Sequence, residues 1–419
     1  MTSRFTQSLS NQTPGFDFVA AHFACEENLY SDTNREGFVN FGSAQNYLQS
    51  DQRSDILKAF TVDVEAARYQ PFPGTESCRL AVAKYLKESA GLDSDESIEI
   101  AASDVVLGNG VISLLEALTI ALLDPDDKVL IPTPVFPGLV NAMSLRVRSG
   151  VHYLHTKVEE DFRLTAASLE AELQQHSTTE RIKAILLCSP GNPIGQVFSE
   201  PELKDFLEIA ERFDCALIVD EVYAGSCLDG VTFVSALKLQ SERVYVLGGL
   251  SKDFGLAGFA TGWLHVANDA VRKAVAKQSH FYRLPAPILR MTEAVLSDDF
   301  QKEFLKSHRS ILTNCFQTVI HQLNEHGIQV TPSESGLCLW LDLRAYLDTP
   351  DADGEMQLYQ SLLNDYRVHV SPGTGFCTPE AGFFRICISQ DERTLDEGLA
   401  RLATGLAARN VGAAVAVTA

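Results

Sequence analysis

The middle third of the chain constrains the fold most, because short apolar runs alternate there with amphipathic segments. Residues 105–107, 128–131, 182–187, 216–219 and 244–247 are each a few residues long and β-branched or leucine-rich. Each run is closed by glycine, proline or a polar residue, the pattern of a strand buried on both faces. Between them, residues 112–123 after Gly110 and residues 200–213 read as helices. In the second, Leu203, Phe206, Leu207, Ala210 and Phe213 fall on one face. Strands alternating with helices predict an α/β layer with a mostly parallel central sheet. After about residue 290 the pattern changes to a long helix (303–326), strands (336–343, 384–388) and a final helix near 394–406. That shift predicts a second, smaller α+β domain.

A length of 419 residues accommodates this division, since domains typically hold about 100–200 residues. Thirty-four lysines and arginines against 55 aspartates and glutamates give a formal charge of -21. A phosphate backbone is repelled on average by such a surface, so general nucleic-acid binding is not expected. No run approaches the ~18 apolar residues of a membrane span. The nine cysteines (Cys25, Cys78, Cys188, Cys215, Cys227, Cys315, Cys338, Cys377, Cys387) are scattered without a C-x-x-C pair. Buried reduced thiols are therefore expected, with neither a disulfide framework nor a metal site. The first 16 residues lack acids, as transit peptides do, yet hold no apolar core for a signal peptide. A cytoplasmic protein is the expectation.

In open α/β sheets ligands bind beyond the carboxyl ends of the strands, so the polar residues there carry the functional reading. Residues 185–187 run into Cys188-Ser189-Pro190-Gly191-Asn192-Pro193, and residues 217–219 into Asp220-Glu221-Val222-Tyr223. Residues 244–247 run into Gly248-Gly249-Leu250-Ser251-Lys252. One crevice thus receives an amide, a carboxylate with a phenol, and a lysine. Each has an ordinary alternative. Lys252 alone reads as a surface lysine, and Asp220 as a structural salt bridge or helix cap. Asn192 between prolines reads as a turn residue, Tyr223 as core packing, and Arg385 in FFRICIS as a structural ion pair. As a set they meet the needs of pyridoxal 5'-phosphate. A desolvated lysine is nucleophilic enough for a Schiff base, and an acid keeps the ring nitrogen protonated so that the ring is an electron sink. An amide and a phenol bond the ring hydroxyl, while an arginine holds the substrate carboxylate. Gly110, Val111 and Ile112, between a strand and a helix, are placed to offer amides to the phosphate. Phe136 is placed to stack on the ring.

The chain resembles the fold-type I pyridoxal-phosphate enzymes of the class I and II aminotransferase family, most closely its 1-aminocyclopropane-1-carboxylate synthase-like branch. The matching stretches are FGSAQNYL (41–48), PTPVFPG (132–138), SPGNPIG (189–195), LIVDEVYAGS (217–226), LSKDFGLAGF (250–259), SGLCLWLDLR (335–344), VSPGTGF (370–376) and FFRICIS (383–389). The resemblance implies Lys252 as the Schiff-base lysine and Asp220 on the pyridine nitrogen. It implies Asn192 and Tyr223 on the ring hydroxyl and Arg385 on the substrate α-carboxylate. It also implies a homodimer with shared active sites, acting on an amino acid without nucleic-acid or membrane partners. The expected division is an N-terminal arm (1–50) joining the small domain, a large cofactor-binding domain (51–290) and a small C-terminal domain (291–419).

The chain also departs from the family pattern. Ala260 replaces the arginine eight residues after the lysine, and Gly249 the serine three before it, so two phosphate contacts are lost. Ser251 and the amides at 111–112 remain. Gln45 stands for a glutamate of the synthase branch, and Phe72 for a tyrosine that reaches across the dimer, with Tyr69 nearby as a substitute. Arg283 and Arg290 are the arginines considered for a second substrate carboxylate. The leading expectation is a lyase that expels a β or γ leaving group, often sulfur, in specialised biosynthesis. An aminotransferase is the alternative, and a binding protein on a degenerate form of the fold the third reading.

Overall fold

A computed structural model describes residues 16–59, 61–92, 99–147, 149–176 and 179–416. Residues 1–15, which carry nearly all of the targeting expectation, lie outside the described residues. Among the described residues, thirteen strands fall into three sheets. The largest holds β2 (Val105–Asn109), β3 (Lys128–Thr133), β4 (Gly150–His155), β5 (Ile182–Cys188), β6 (Ala216–Asp220), β7 (Val244–Gly249) and β8 (Thr261–Val266) in the order β2-β8-β7-β6-β5-β3-β4. β8 is antiparallel to both its neighbours; the other pairings are parallel. This is the doubly covered α/β sheet that the alternation predicts. The interior strands are buried on both faces because helices pack on each side. One core includes Leu107, Ile185, Leu217 and Val246, and the other includes Val106, Leu186, Ile218 and Leu247.

A four-stranded antiparallel sheet is built from β9 (Gln329–Val330), β10 (Cys338–Asp342), β12 (Ser371–Pro372) and β13 (Phe383–Cys387) in the order β12-β13-β10-β9. A third, two-stranded sheet pairs β1 (Val39–Asn40) in parallel with β11 (Val368–His369). Val39, Phe41, Ala44 and Leu48 pack in one core with Leu312, Phe316, Leu339, Ile386 and Leu402. The early segment is thus held by residues some 300 positions later.

The structure differs from the sequence reading at several elements. The long helix is Asp298–Glu325 and starts five residues early, with Asp298 and Asp299 in its first turn, where acids favour the positive end of the helix dipole. The last helix runs from Glu392 to Ala416. The two-residue strands β1, β9, β11 and β12 were not expected, nor were two strands of the large sheet, β4 and β8. β4 (GVHYLH) is a half-exposed edge with two histidines, and β8 (TGWLHV) mixes glycine and polar residues into a buried strand. Both lack the continuous apolar run of a parallel core strand. All nine cysteines are free, but Cys188, Cys315 and Cys377 are half-buried, not buried. No described helix is long and apolar enough to cross a membrane.

Candidate active site

β5, β6 and β7 lie side by side and parallel, and their ends are in register at Cys188, Asp220 and Leu247. Apolar residues bury each strand, so the first polar residues beyond them are delivered to one rim. Asp220 closes β6 and is 4% exposed. Among the described residues it has no cationic partner at ion-pair distance, and its Oδ1 accepts one hydrogen bond, from the Val222 N–H at 3.2 Å. Burial pushes its carboxyl up to about 7, with the Val222 amide and Lys252 opposing the rise. A carboxylate in that position favours a cation or a strong donor beside it.

Lys252 lies three residues past β7, and its Nζ donates to the Ala44 carbonyl at 2.6 Å. Burial, and then the charge of Arg385, lower its pKa. Its turn is tied down from two sides. Asn46 Nδ2 donates to the Lys252 carbonyl at 3.0 Å. Next to it, Asp253 accepts from the Gly225 N–H at 2.7 Å and from Ser226 Oγ at 2.6 Å. Asp253, buried and raised to about 7 by that burial, thus locks the loop after β6 to the lysine turn. Sequence reading missed it, although an acid inside a run of small apolar residues was the available signal.

A chain of hydrogen bonds joins the remaining groups. Asn192 Nδ2 donates to Tyr223 Oη at 3.2 Å, and Arg385 Nη1 donates to Asn192 Oδ1 at 3.1 Å. Arg385 Nη2 donates to the Gly42 carbonyl at 2.6 Å, and Phe376 lies 4.8 Å from the guanidinium carbon, ring face toward it. Gly42 has to be glycine, since a Cβ there would overlap the His369 ring. Arg385 is 3% exposed, and its Nε has no partner. Among the described residues no carboxylate pairs with it, so the structural ion pair considered for it is absent. Tyr223 is buried, which raises its phenol pKa.

Lys252 and Arg385 line one cavity with Gly42, Ser43, Ala44, Phe136, Ser371 and Phe376. Val19 and His22, from the helix Phe16–Glu26, close another wall of it; nothing local in the sequence marked them. Gly110, Val111 and Ile112 open the helix Gly110–Leu122, whose Asn109 cap makes no side-chain hydrogen bond. Its first N–H groups therefore lack a side-chain acceptor. Gly110 has φ +80°, and a Cβ on the facing Gly262 would lie 2.8 Å from the Val111 nitrogen. Ala260 takes a left-handed conformation, with its carbonyl toward Gly110. Gly249 has a steric cause, since a Cβ there would stand 2.5 Å from the Thr261 carbonyl. Ser251 is half-buried.

Other expected residues are not among the cavity walls. Gln45 belongs to the segment over Lys252, where its carbonyl accepts from Ser389 Oγ at 2.9 Å. Phe72 packs edge-on against His280 and lies beneath Arg283, as does the exposed Tyr69. Within one chain they are not joined to Lys252. Arg290 faces Glu293 at 3.5 Å.

Pyridoxal 5'-phosphate fits this donor set on two counts, and an amino acid beside it on a third. Asp220 lacks a cation and a protonated ring nitrogen is one. The unpartnered Nε of Arg385 suits an α-carboxylate. The open helix N-terminus suits a phosphate.

A family model for aminotransferases of class I and II matches residues 36–402. The chain is 29% identical over 415 residues to 1-aminocyclopropane-1-carboxylate synthase 7 of Arabidopsis thaliana, covering 92% of this chain and 91% of that one. It is 30% identical over 392 residues to 1-aminocyclopropane-1-carboxylate synthase 4 of Solanum lycopersicum, covering 88% and 81%. Among solved structures, the aspartate aminotransferase of Thermus thermophilus with maleate superposes with a TM-score of 0.78 at 21% identity, covering 97% and 99%. An aminotransferase from Mycobacterium tuberculosis gives 0.80 at 20% identity, with the same coverage. At those identities the structural likeness speaks for the fold alone.

Proposed function

Because the chain belongs to the class I and II aminotransferase family, in its 1-aminocyclopropane-1-carboxylate synthase-like branch, we propose that it is a lyase. It acts on an α-amino acid with one carboxylate and a sulfur-bearing leaving group. Its cofactor is pyridoxal 5'-phosphate. The observation that carries the substrate class is the charge inventory of the cavity. Lys252 and Arg385 are its only lysine and arginine among the described residues, and Arg283 and Arg290 are engaged elsewhere. A dicarboxylate such as aspartate or glutamate would find no second lysine or arginine of this chain there for its other charge, which would then bear a desolvation cost. Phe136 and Phe376 offer aromatic faces, which suit a thioether or a sulfonium cation.

The bound cofactor supplies an electron sink for charge released at the substrate α-carbon. Asp220 holds the proton of the ring nitrogen, as a buried carboxylate without any other cation does. Asn192 and Tyr223 serve the ring hydroxyl, Phe136 the ring face, and Ser251 with the amides of Gly110, Val111 and Ile112 the phosphate. Arg385, braced by Gly42 and Asn192, holds the substrate carboxylate and so orients the α-hydrogen. Lys252 Nζ, kept neutral more readily by burial, takes that proton as general base. Gln45 and Phe72 belong to the substrate side, Phe72 through the second subunit of a homodimer. Two domains serve this arrangement, residues 51–290 and residues 291–419, the latter joined by the arm 1–50; the packing of Val39 to Leu48 with the late helices supports that division.

A visible spectrum recorded while amino acids are added singly tests the reaction. The lyase reading expects ammonia with a keto acid, or a cyclised product, from a sulfur-bearing substrate, without conversion of the cofactor to its amine form. Bleaching to the amine form, reversed by a keto acid, would establish an aminotransferase instead. A protein that takes up no cofactor would leave only the binding-protein reading.

A further inference from the structure

β4 is the edge strand of the large sheet, with β3 and β5 between it and the strand ends that carry Asp220 and Lys252. His152 stands on this strand, facing the last turns of the helix Ala166–His176. Its Nε2 lies 2.7 Å from Glu172 Oε1, and His176 Nε2 lies 3.4 Å from the same oxygen. Glu172 and His176 are four apart on the helix and so share a face. The ligand atoms of His152, Glu172 and His176 all lie within 4.8 Å of one another. We propose that these three residues bind a divalent transition metal of the zinc type, with a water as fourth ligand.

The chemistry of the set supports this assignment. Two imidazoles and a carboxylate are ligands that zinc accepts, at about 2.0–2.2 Å each, which places tetrahedral donors about 3.3 Å apart. The separations around Glu172 bracket that distance, and the two imidazole nitrogens lie within 4.8 Å of each other, so rotation of the histidine side chains toward the carboxylate closes the site. The surroundings also orient the ligands. His152 Nδ1 lies 2.7 Å from Glu180 Oε2, while Glu180 Oε1 meets Lys128 Nζ at 2.9 Å. A carboxylate only accepts, so Nδ1 carries a proton and Nε2 is the nitrogen directed at Glu172 and His176. A carboxylate behind a ligating histidine is a recurring support of metal sites. Side-chain exposures of 11% for His152, 27% for Glu172 and 26% for His176 leave an entry path for the ion and room for the water. Bound there, the metal clips the end of the helix to a strand that has only one neighbour in the sheet.

The test is calorimetric titration of the chelator-treated holoenzyme with Zn2+, followed by Co2+ difference absorbance for the coordination number. One tight site per chain is expected, with four-coordinate cobalt bands and no change in the cofactor's spectrum. His176→Ala and Glu172→Gln should each weaken Zn2+ binding by about 100-fold or more, and Glu180→Gln by about 10–100-fold. Unfolding midpoints in chelator show that each variant folds; should Glu172→Gln fail there, His176→Ala decides. Absence of saturable Zn2+ binding in the unmodified protein would overturn the assignment, leaving His152 as a hydrogen-bonded link between Glu172 and Glu180. Binding that survives His176→Ala at full affinity, or that shifts the cofactor's spectrum, would overturn it as well.

Discussion

Returning an arginine to position 260 tests how the phosphate is held. Ala260 follows the short turn Ala257–Phe259 with φ +47°, and its carbonyl faces Gly110 at the start of the uncapped helix. Position 260 therefore stands next to the start of that helix, within an arginine's length of the Val111 and Ile112 amides. Alanine already bears the cost of the left-handed conformation, about 1–2 kcal/mol for any residue with a Cβ, so Ala260→Arg adds little strain. A hydrogen bond to a charged group contributes about 1.5–3 kcal/mol. Ordering an arginine side chain can take back up to about 2 kcal/mol. With about half of that ordering cost incurred, the net gain is about 0.5–2 kcal/mol, or roughly 2- to 30-fold tighter cofactor binding. The assay is a spectral titration of cofactor-stripped protein with pyridoxal 5'-phosphate and, separately, with pyridoxal. The phosphorylated form should gain affinity and pyridoxal should not. Equal gains, or no gain for the phosphate ester, would refute the placement of the phosphate at this helix.

The serine missing at 249 should not be restorable in the same way. Gly249→Ser drives a Cβ against the Thr261 carbonyl, and overpacking of about 1–3 kcal/mol should lower the unfolding midpoint by a few degrees; an unchanged midpoint would show that β7 and β8 yield freely. Lys252→Ala should abolish turnover of every amino acid while the fold persists, and measurable turnover would exclude Nζ as the base. Arg385→Lys loses the forked donor that braces Asn192 and Gly42, so kcat/KM should fall about 10- to 100-fold; a steady-state assay that finds less than threefold loss contradicts its role. The Asp220 carboxyl is raised to about 7 in the folded, cofactor-free protein, so the folded state holds its proton longer than the unfolded chain does. Its contribution is therefore stabilising below about pH 4 and is lost as pH rises toward 7. Asp220→Asn should remove that part of the decline, seen as a difference between the two proteins' unfolding midpoints across pH 4–7, while the parallel contributions of Glu221 and Asp253 cancel.

The fold was legible because its signal is local. A strand buried on both faces must be an apolar run, and the first polar residue after it must stand at the strand end. Asn192, Asp220 and Lys252 were thus placed on one rim by the chain itself. β4 and β8 escaped notice for the converse reason: an edge strand and an antiparallel strand carry polar residues, and their identity lies in what they pair with.

What the sequence determined alone was the layered α/β sheet, the order of the polar strand ends and the residue types there, since periodicity and covalent adjacency fix all three. Which groups lack partners was decided by the tertiary structure. Arg385 reaches Gly42 across 343 positions, and its Nε is unpartnered because no acid from elsewhere in the described chain arrives beside it. Val19 and His22 wall the cavity because a distant helix folds over it, and His152 meets Glu172 and His176 because an edge strand packs on the end of a helix. Gly249 reads in the sequence as a missing phosphate contact, yet it is required by the backbone of β8. Such contacts depend on where separate elements come to rest, and no local pattern of residues records that.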